Sequence, residues 1–101
     1  MWTEGGKVAD DYTADDFRGS VGETFDVDAG GEKLALVLDD VRDLPPGIRE
    51  RGCFRLSFFG PRDPVIPQGL YRFERDGEAW DIFIVPSAQG EKGSTYEAVF
   101  N

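Results

Sequence analysis

Three aspartates near the middle of the chain are the residues best suited by type and spacing to do chemistry. Asp39, Asp40 and Asp43 follow three leucines that alternate along a predicted strand. Paired carboxylates can act as general acid and base, and their oxygens also bind hard metal ions. A small carboxylate-based hydrolase or isomerase is therefore the enzymatic alternative. We expect instead a solvated strand end whose acids discourage edge pairing, with no catalytic, cofactor or metal site.

The composition removes most other catalytic chemistry. The chain has 101 residues and contains no histidine. This excludes Ser-His-Asp and Cys-His catalysis, histidine zinc sites and histidine pH sensing. Cys53 is the single cysteine, so no disulfide or thiolate cluster can form within one chain. We therefore predict a protein that is not an enzyme.

The charge of the chain is large and unevenly distributed. Twenty acidic and 11 basic side chains give a formal net charge of −9, and residues 1–43 hold 12 of the acids but only 4 of the bases. An acidic protein repels phosphate backbones and anionic lipids, so we expect neither nucleic-acid nor membrane partners. Imitation of DNA by the acidic part is a minor alternative.

The remainder of the chain is nearly neutral and rich in arginine between positions 49 and 75. Guanidinium groups pair well with carboxylates, so this part is predicted to face the acidic end of another chain or of a partner. Ordinary cross-strand pairing of the arginines with Asp and Glu is the simpler alternative. Phe59 and Leu70 are predicted to occupy outward-facing positions on their strands. The candidate partner-binding residues are Arg49, Arg51, Arg55, Phe59, Arg62, Leu70 and Arg72.

The N-terminal part is predicted to be a flexible acidic arm, residues 1–11, followed by a single β domain, residues 12–101. Thr13 can cap a short helix, and Tyr12 and Phe17 have the spacing of a hydrophobic staple. Gly19 ends this helix after about a turn and a half. No apolar segment near the start has the length of a leader or a membrane span, so we expect a soluble, cytoplasmic protein.

Six short segments with period-two alternation follow the helix. The Gly30-Gly31 and Asp76-Gly77 pairs predict tight hairpin turns, and the parity change near Asp39 and Asp40 predicts a bulge. Pro86 is expected to end the fifth strand. These features predict an all-β fold: a small six-stranded antiparallel barrel or sandwich with one short N-terminal helix.

The fifth of these strands is apolar on both faces. Phe83 and Val85 alternate with Ile82 and Ile84, so neither parity of this strand is polar. Strands of this type are typical of sheets that are covered on both sides. We therefore expect this strand to be central in the fold.

Five segments have a characteristic order and spacing: VGETF at 21–25, FRLSFFGP at 54–61, PQGLYRFE at 67–74, IFIVP at 82–86 and YEAVFN at 96–101. Through these segments the chain from Ser20 onward resembles a family of small, functionally uncharacterised bacterial all-β proteins. The resemblance implies a single β domain that is often found beside proteins with a phage-tail-collar domain. It implies no reaction and no catalytic residues, and the acidic arm and the short Asp76-Gly77 turn depart from the family pattern. We expect a non-enzymatic module for protein binding or self-association, such as an accessory of a tail-like or collar-type assembly.

Overall fold

The computed structural model describes residues 12–47 and 52–101. One helix and six strands follow in chain order: α1 (Asp15–Arg18), β1 (Thr24–Ala29), β2 (Glu32–Asp43), β3 (Phe54–Gly60), β4 (Gly69–Arg75), β5 (Glu78–Gln89) and β6 (Ser94–Phe100). The predicted arm over residues 1–11 lies outside the described residues.

The six strands form a closed antiparallel barrel in the order β1-β2-β3-β6-β5-β4. Closure comes from β1 and β4, which pair over only three residue pairs, from Asp26 with Glu74 to Asp28 with Arg72. Closure removes the free edges that an open sheet would expose. The predicted all-β fold is thus confirmed, and of its two forms the barrel is the one observed.

Both predicted hairpin turns are confirmed. Gly30 and Gly31 have φ angles of 68° and 99° between the paired Ala29 and Glu32. The turn between β4 and β5 has φ angles of 53° at Asp76 and 81° at Gly77. Two successive residues at positive φ give the twist that a two-residue hairpin requires, and Asp and Gly reach that region most readily.

The predicted bulge in β2 is confirmed as well. The register against β3 shifts between Leu38 and Asp40, so that Leu38 lies opposite Phe58 but Asp40 lies opposite Ser57. The extra residue returns Val41 to the inner side, where it packs against the core.

The interior of the barrel is filled largely by aromatic rings. Phe54 and Phe100 stack at 4.5 Å between centroids, and Phe25 meets the rings of Phe58 and Phe73 at 5.8 and 6.2 Å. Aromatic rings bury the largest apolar area per residue, so they dominate the stability of a small core. Every second residue of each strand faces the interior, and this alternation brings the aromatic rings together.

Helix α1 and Tyr12 cover one end of this core. Thr13 and Asp16 form two reciprocal hydrogen bonds. The Thr13 N–H donates to the Asp16 carboxylate at 2.9 Å, and the Asp16 N–H donates to the Thr13 hydroxyl at 3.3 Å. The Tyr12 and Phe17 rings meet at 5.9 Å, as the staple spacing predicts. The helix itself begins at Asp15 and has four residues. It is the one helix among the described residues, and it is too short to cross a membrane.

Two expectations for the fifth strand are wrong. Pro86 does not end β5, which continues to Gln89, because the register shift between Pro86 and Ala88 accommodates a residue that lacks an N–H group. The outer side chains Phe83 and Val85 are also exposed. In a closed barrel only the inner face of each strand is covered by the fold itself, so no strand is central in the sense that we expected.

Candidate functional site

The three candidate catalytic aspartates are not gathered into one site. Asp43 accepts two hydrogen bonds from the Arg18 guanidinium, at 2.7 and 3.0 Å. Asp40 pairs with Arg42 at 3.6 Å, and Asp39 is exposed at the bulge. Two of these carboxylates therefore balance two different arginines. Among the described residues, no group of three or more His, Cys, Asp or Glu side chains is placed to hold a metal ion.

A polar cleft of about 310 Å³ opens beside the Asp76-Gly77 turn. Its charged groups pair with one another and with their neighbours: Glu74 contacts Lys33 at 3.5 Å and Arg72 at 3.1 Å, and Arg75 contacts Asp76 at 3.4 Å. These charges stabilise the turn and the β1–β4 closure, and they form no recognisable acid–base or nucleophile set.

Four of the exposed large apolar side chains lie on the outside of β4, β5 and β6. Leu70 and Phe83 are directly opposite in the β4–β5 ladder, and their side chains are 66% and 50% exposed. Val85 is 40% exposed on the same face of β5, and Val99 is 53% exposed on β6. We call Leu70, Phe83, Val85 and Val99 the outer apolar face.

The strand registers make these four side chains neighbours. Val85 lies opposite Glu97 in the last pair of the β5–β6 ladder, and Phe83 and Val99 lie two residues beyond that pair on the outer sides of the same two strands. Side chains at i and i+2 share one face of a strand, and adjacent strands lie about 4.8 Å apart. The face is therefore one patch rather than four isolated residues.

Arg55 borders the outer apolar face on the β3 side. It lies opposite Val99 in the β3–β6 ladder and opposite Arg42 in the β2–β3 ladder. Its Nε atom is buried and has no hydrogen-bond partner, and among the described residues its guanidinium forms no ion pair. A cationic group with a desolvated donor thus lies next to apolar surface.

The other predicted partner-binding residues are divided among three places. Leu70 and Arg72 lie together on the outside of β4, and Arg72 donates to Glu74 at 3.1 Å. Phe59 lies four residues along β3 from Arg55, opposite Thr95. Arg62 follows β3, and its carbonyl accepts hydrogen bonds from Gln89 and Ser94. Arg49 and Arg51 lie outside the described residues.

Sequence reasoning missed three of the four residues of the outer apolar face. The sequence pattern places Phe83 and Val85 on a strand that is predicted to be covered on both sides, and it does not distinguish Val99 from other outward residues. The signal was present, since β5 is apolar at both parities and Val99 follows the outward Glu97 by two residues. Only closure of the barrel distinguishes an uncovered outer face from a second buried face.

The comparisons with known proteins show the family of the chain. A family profile described as a domain of unknown function, DUF6916, matches residues 12–100. No curated protein and no solved structure matches the chain. The matched region begins at Tyr12, whose ring packs against Phe17 and Phe100, and it includes every strand of the barrel. The chain belongs to the DUF6916 family of domains of unknown function.

Proposed function

We propose that this chain is a non-enzymatic β-barrel domain that binds a protein partner through the outer apolar face. The observation that carries the proposal is the exposure of four large apolar side chains on three adjacent strands. Contiguous apolar patches on soluble proteins mark interaction surfaces, whereas single exposed apolar residues are ordinary.

The surroundings of the outer apolar face suit a protein interface. Arg72 and Asp81 lie next to it on β4 and β5, and Glu97 lies next to it on β6, so a polar rim borders an apolar centre. Covering each half-exposed side chain contributes about 1 kcal/mol before the cost of association. Apolar contact alone would therefore give weak binding, and the polar rim must contribute to affinity and specificity.

Two alternatives have less support. Of the aspartates of the carboxylate-based hydrolase or isomerase, Asp43 and Asp40 pair with separate arginines and Asp39 is exposed. Imitation of DNA requires a continuous acidic surface, whereas Arg42, Arg55 and Arg72 interrupt the outer side of this barrel.

The partner that we propose to test first is a protein with a phage-tail-collar domain. This choice rests on the bacterial setting that the family resemblance implies. In that setting the domain would be an accessory of a tail-like or collar-type assembly, and it would bind in the cytoplasm before or during assembly. Self-association through the same face is the second form of this proposal.

The test compares three purified proteins: wild type, Phe83→Asp and Val21→Asp. Phe83→Asp places a charge at the centre of the outer apolar face. Val21→Asp makes the same kind of change at a residue that is 48% exposed in the turn between α1 and β1. Circular dichroism and thermal melting verify that all three proteins are folded.

Each protein is mixed with a collar-domain protein from the same genome and analysed by light scattering. We expect a complex, or a wild-type oligomer, that Phe83→Asp weakens at least about ten-fold and Val21→Asp leaves intact. A monomeric wild type that forms no complex would overturn the proposal. Equal association of wild type and Phe83→Asp would also overturn it.

A further inference from the structure

The outer apolar face lies close to the point where the described part of the chain begins. Tyr12 is buried, and its phenol oxygen accepts a hydrogen bond from the backbone N–H of Asp81 on β5. Asp81 and Phe83 are both exposed on the outside of β5, and residues at i and i+2 of a strand lie about 6.6 Å apart. The Tyr12 ring also meets Phe100, the neighbour of Val99 in β6, at 6.0 Å. Tyr12 therefore anchors the preceding residues beside the outer apolar face.

The segment before Tyr12 is long enough to reach this face. Trp2 precedes Tyr12 by ten residues, and a random-coil chain of ten residues has an r.m.s. end-to-end distance of about 17 Å. Val85 lies four residues along β5 from Asp81, a distance of about 13 Å. The tether length and the span are thus similar, and a tethered group has its highest effective concentration when they match.

The segment also carries a side chain of suitable chemistry. Between positions 2 and 11 the large apolar residues are Trp2 and Val8, and the others are small, polar or charged. An indole ring buries a large apolar area and has only two side-chain torsions to restrict, so its binding costs little conformational entropy. The other described residues leave the outer apolar face exposed. Trp2 is therefore the side chain of this segment that is best suited to cover it.

We propose that Trp2 of the same chain covers the outer apolar face when no partner is bound. This inference rests on the proposed function and adds a regulation of that site, because a partner must displace Trp2 before it can bind. The anchor at Tyr12 holds the segment beside the face in both states, so displacement frees Trp2 without unfolding the barrel. The cover adds little to the stability of the barrel, because it is made by one tethered side chain.

The tether sets the strength of the competition between Trp2 and a partner. Short flexible linkers give effective concentrations in the millimolar range, and we take about 3 mM for Trp2. If the contact has a Kd of about 1 mM, this effective concentration covers the face in about three quarters of the molecules. An external ligand then meets an open face in about one quarter of them, so its apparent affinity is about four-fold lower than for an uncovered face.

Nuclear Overhauser effects in the full chain test the contact directly. The indole Nε1–H signal of Trp2 is assigned by its loss in Trp2→Ala. We expect contacts from the Trp2 ring to the methyl groups of Leu70 or Val99, and we expect Phe83→Asp to abolish them. These contacts should not depend on protein concentration, because the ring and the face belong to one chain. Thr3→Ala is the matched control in the same segment and should leave them unchanged.

Titration with the apolar dye anilinonaphthalene sulfonate tests the competition. We expect Trp2→Ala to bind the dye about four-fold more tightly than wild type, and Thr3→Ala to bind it as wild type does. Addition of Phe83→Asp to Trp2→Ala should remove this gain, which would place the dye on the outer apolar face. Thermal melting verifies that all variants are folded, and Leu70→Asp is the second variant if Phe83→Asp is unstable.

The outcomes separate this inference from the proposed function. If the Trp2 ring makes no contact with the face, or if Trp2→Ala binds the dye no more tightly than wild type, the inference is overturned, and light scattering decides the proposed function separately. If the contacts appear only between differently labelled chains in a mixed sample, the occupant is a second copy and the inference is overturned. If Trp2 covers the face but wild type and Trp2→Ala both stay monomeric and bind no collar-domain protein, the cover is confirmed and the proposed function is overturned.

Discussion

The phenol oxygen of Tyr12 accepts a hydrogen bond from the backbone N–H of Asp81 at 3.1 Å. This bond joins the first described residue to β5, 69 positions later in the chain. On its other side the Tyr12 ring meets Phe100 of β6 at 6.0 Å. β5 and β6 are paired from Val85 to Gln89, so Tyr12 bridges the two strands below the end of their ladder. Tyr12 thus connects β5 and β6 where their ladder has ended.

Replacement of Tyr12 by phenylalanine should destabilise the barrel. Tyr12→Phe keeps the ring contacts but leaves the Asp81 N–H without its acceptor, so we expect a loss of about 1–2 kcal/mol in the free energy of unfolding. For a domain of this size, each kcal/mol lowers the melting temperature by roughly 4–8 °C. Urea unfolding measures the difference. The matched control is Tyr71→Phe, which removes an exposed bond to the Pro67 carbonyl and should cost less. Equal losses would show that Tyr12 does not bridge β5 and β6 in solution.

The stability of the domain should also fall at alkaline pH because of Tyr12. Burial raises the pKa of the Tyr12 phenol above its ordinary value of 10.0, and the nearby Asp81 and Asp16 carboxylates raise it further, against an opposing effect of the Asp81 N–H. The folded state thus holds this proton more tightly than the unfolded state. The resulting stabilisation is complete below pH 10 and is lost as the pH rises through the folded pKa.

Denaturation of wild type and Tyr12→Phe between pH 8 and 11 tests this expectation. The difference in unfolding free energy between the two proteins should shrink above pH 10. A difference that stays constant over this range would contradict the raised pKa.

Loss of the Phe17 ring should cost far more than loss of an outer ring. Phe17 is fully buried and meets Phe54 at 6.2 Å and Trp80 at 5.9 Å. Phe17→Ala should therefore cost about 3–5 kcal/mol. Phe83→Ala makes the same change on the outer apolar face and should cost about 0.5 kcal/mol or less. Urea unfolding of both variants measures this contrast, and similar losses would mean that Phe83 is covered in the isolated protein.

Gly93 is predicted to tolerate no side chain. A Cβ atom at this position would collide with the Gly60 carbonyl oxygen and with the Phe59 ring. Gly93→Ala should therefore destabilise the domain by about 1–3 kcal/mol. At Gly90 the nearest atom to an added Cβ is the Gly93 carbonyl oxygen at 3.9 Å, so Gly90→Ala should be close to neutral. Thermal melting compares the two variants, and a neutral Gly93→Ala would show that β3 and β6 lie further apart than described.

The elements of the fold are predictable where one physical cause dominates. Asp76 and Gly77 reach positive φ readily, so the turn follows from residue type. The bulge between Leu38 and Asp40 follows from the apolar pattern, because Val41 would otherwise face water. The position of Pro86 inside β5 is not predictable in this way, because it depends on the register shift that follows Pro86, which no local pattern reveals.

The candidate site was predictable only in part. Leu70 and Arg55 were found from their strand parity and from the arginine-rich composition. Their relation to Phe83 and Val99 depends on β6 pairing with both β3 and β5, a non-local arrangement that periodicity does not encode. Sequence patterns also could not show that the Nε of Arg55 is buried without a partner, because this depends on side chains from three strands.

By itself, the sequence determined the class of the fold, its turns, its short helix and the lack of histidine chemistry, because these depend on residue type and local alternation. The tertiary structure alone decided that the sheet closes and that the outer sides of β4, β5 and β6 stay uncovered. It also decided which arginine borders that apolar surface. The physical reason is that alternation assigns residues to two faces of a strand, whereas strand pairing and closure determine whether each face meets a core, a neighbour or solvent.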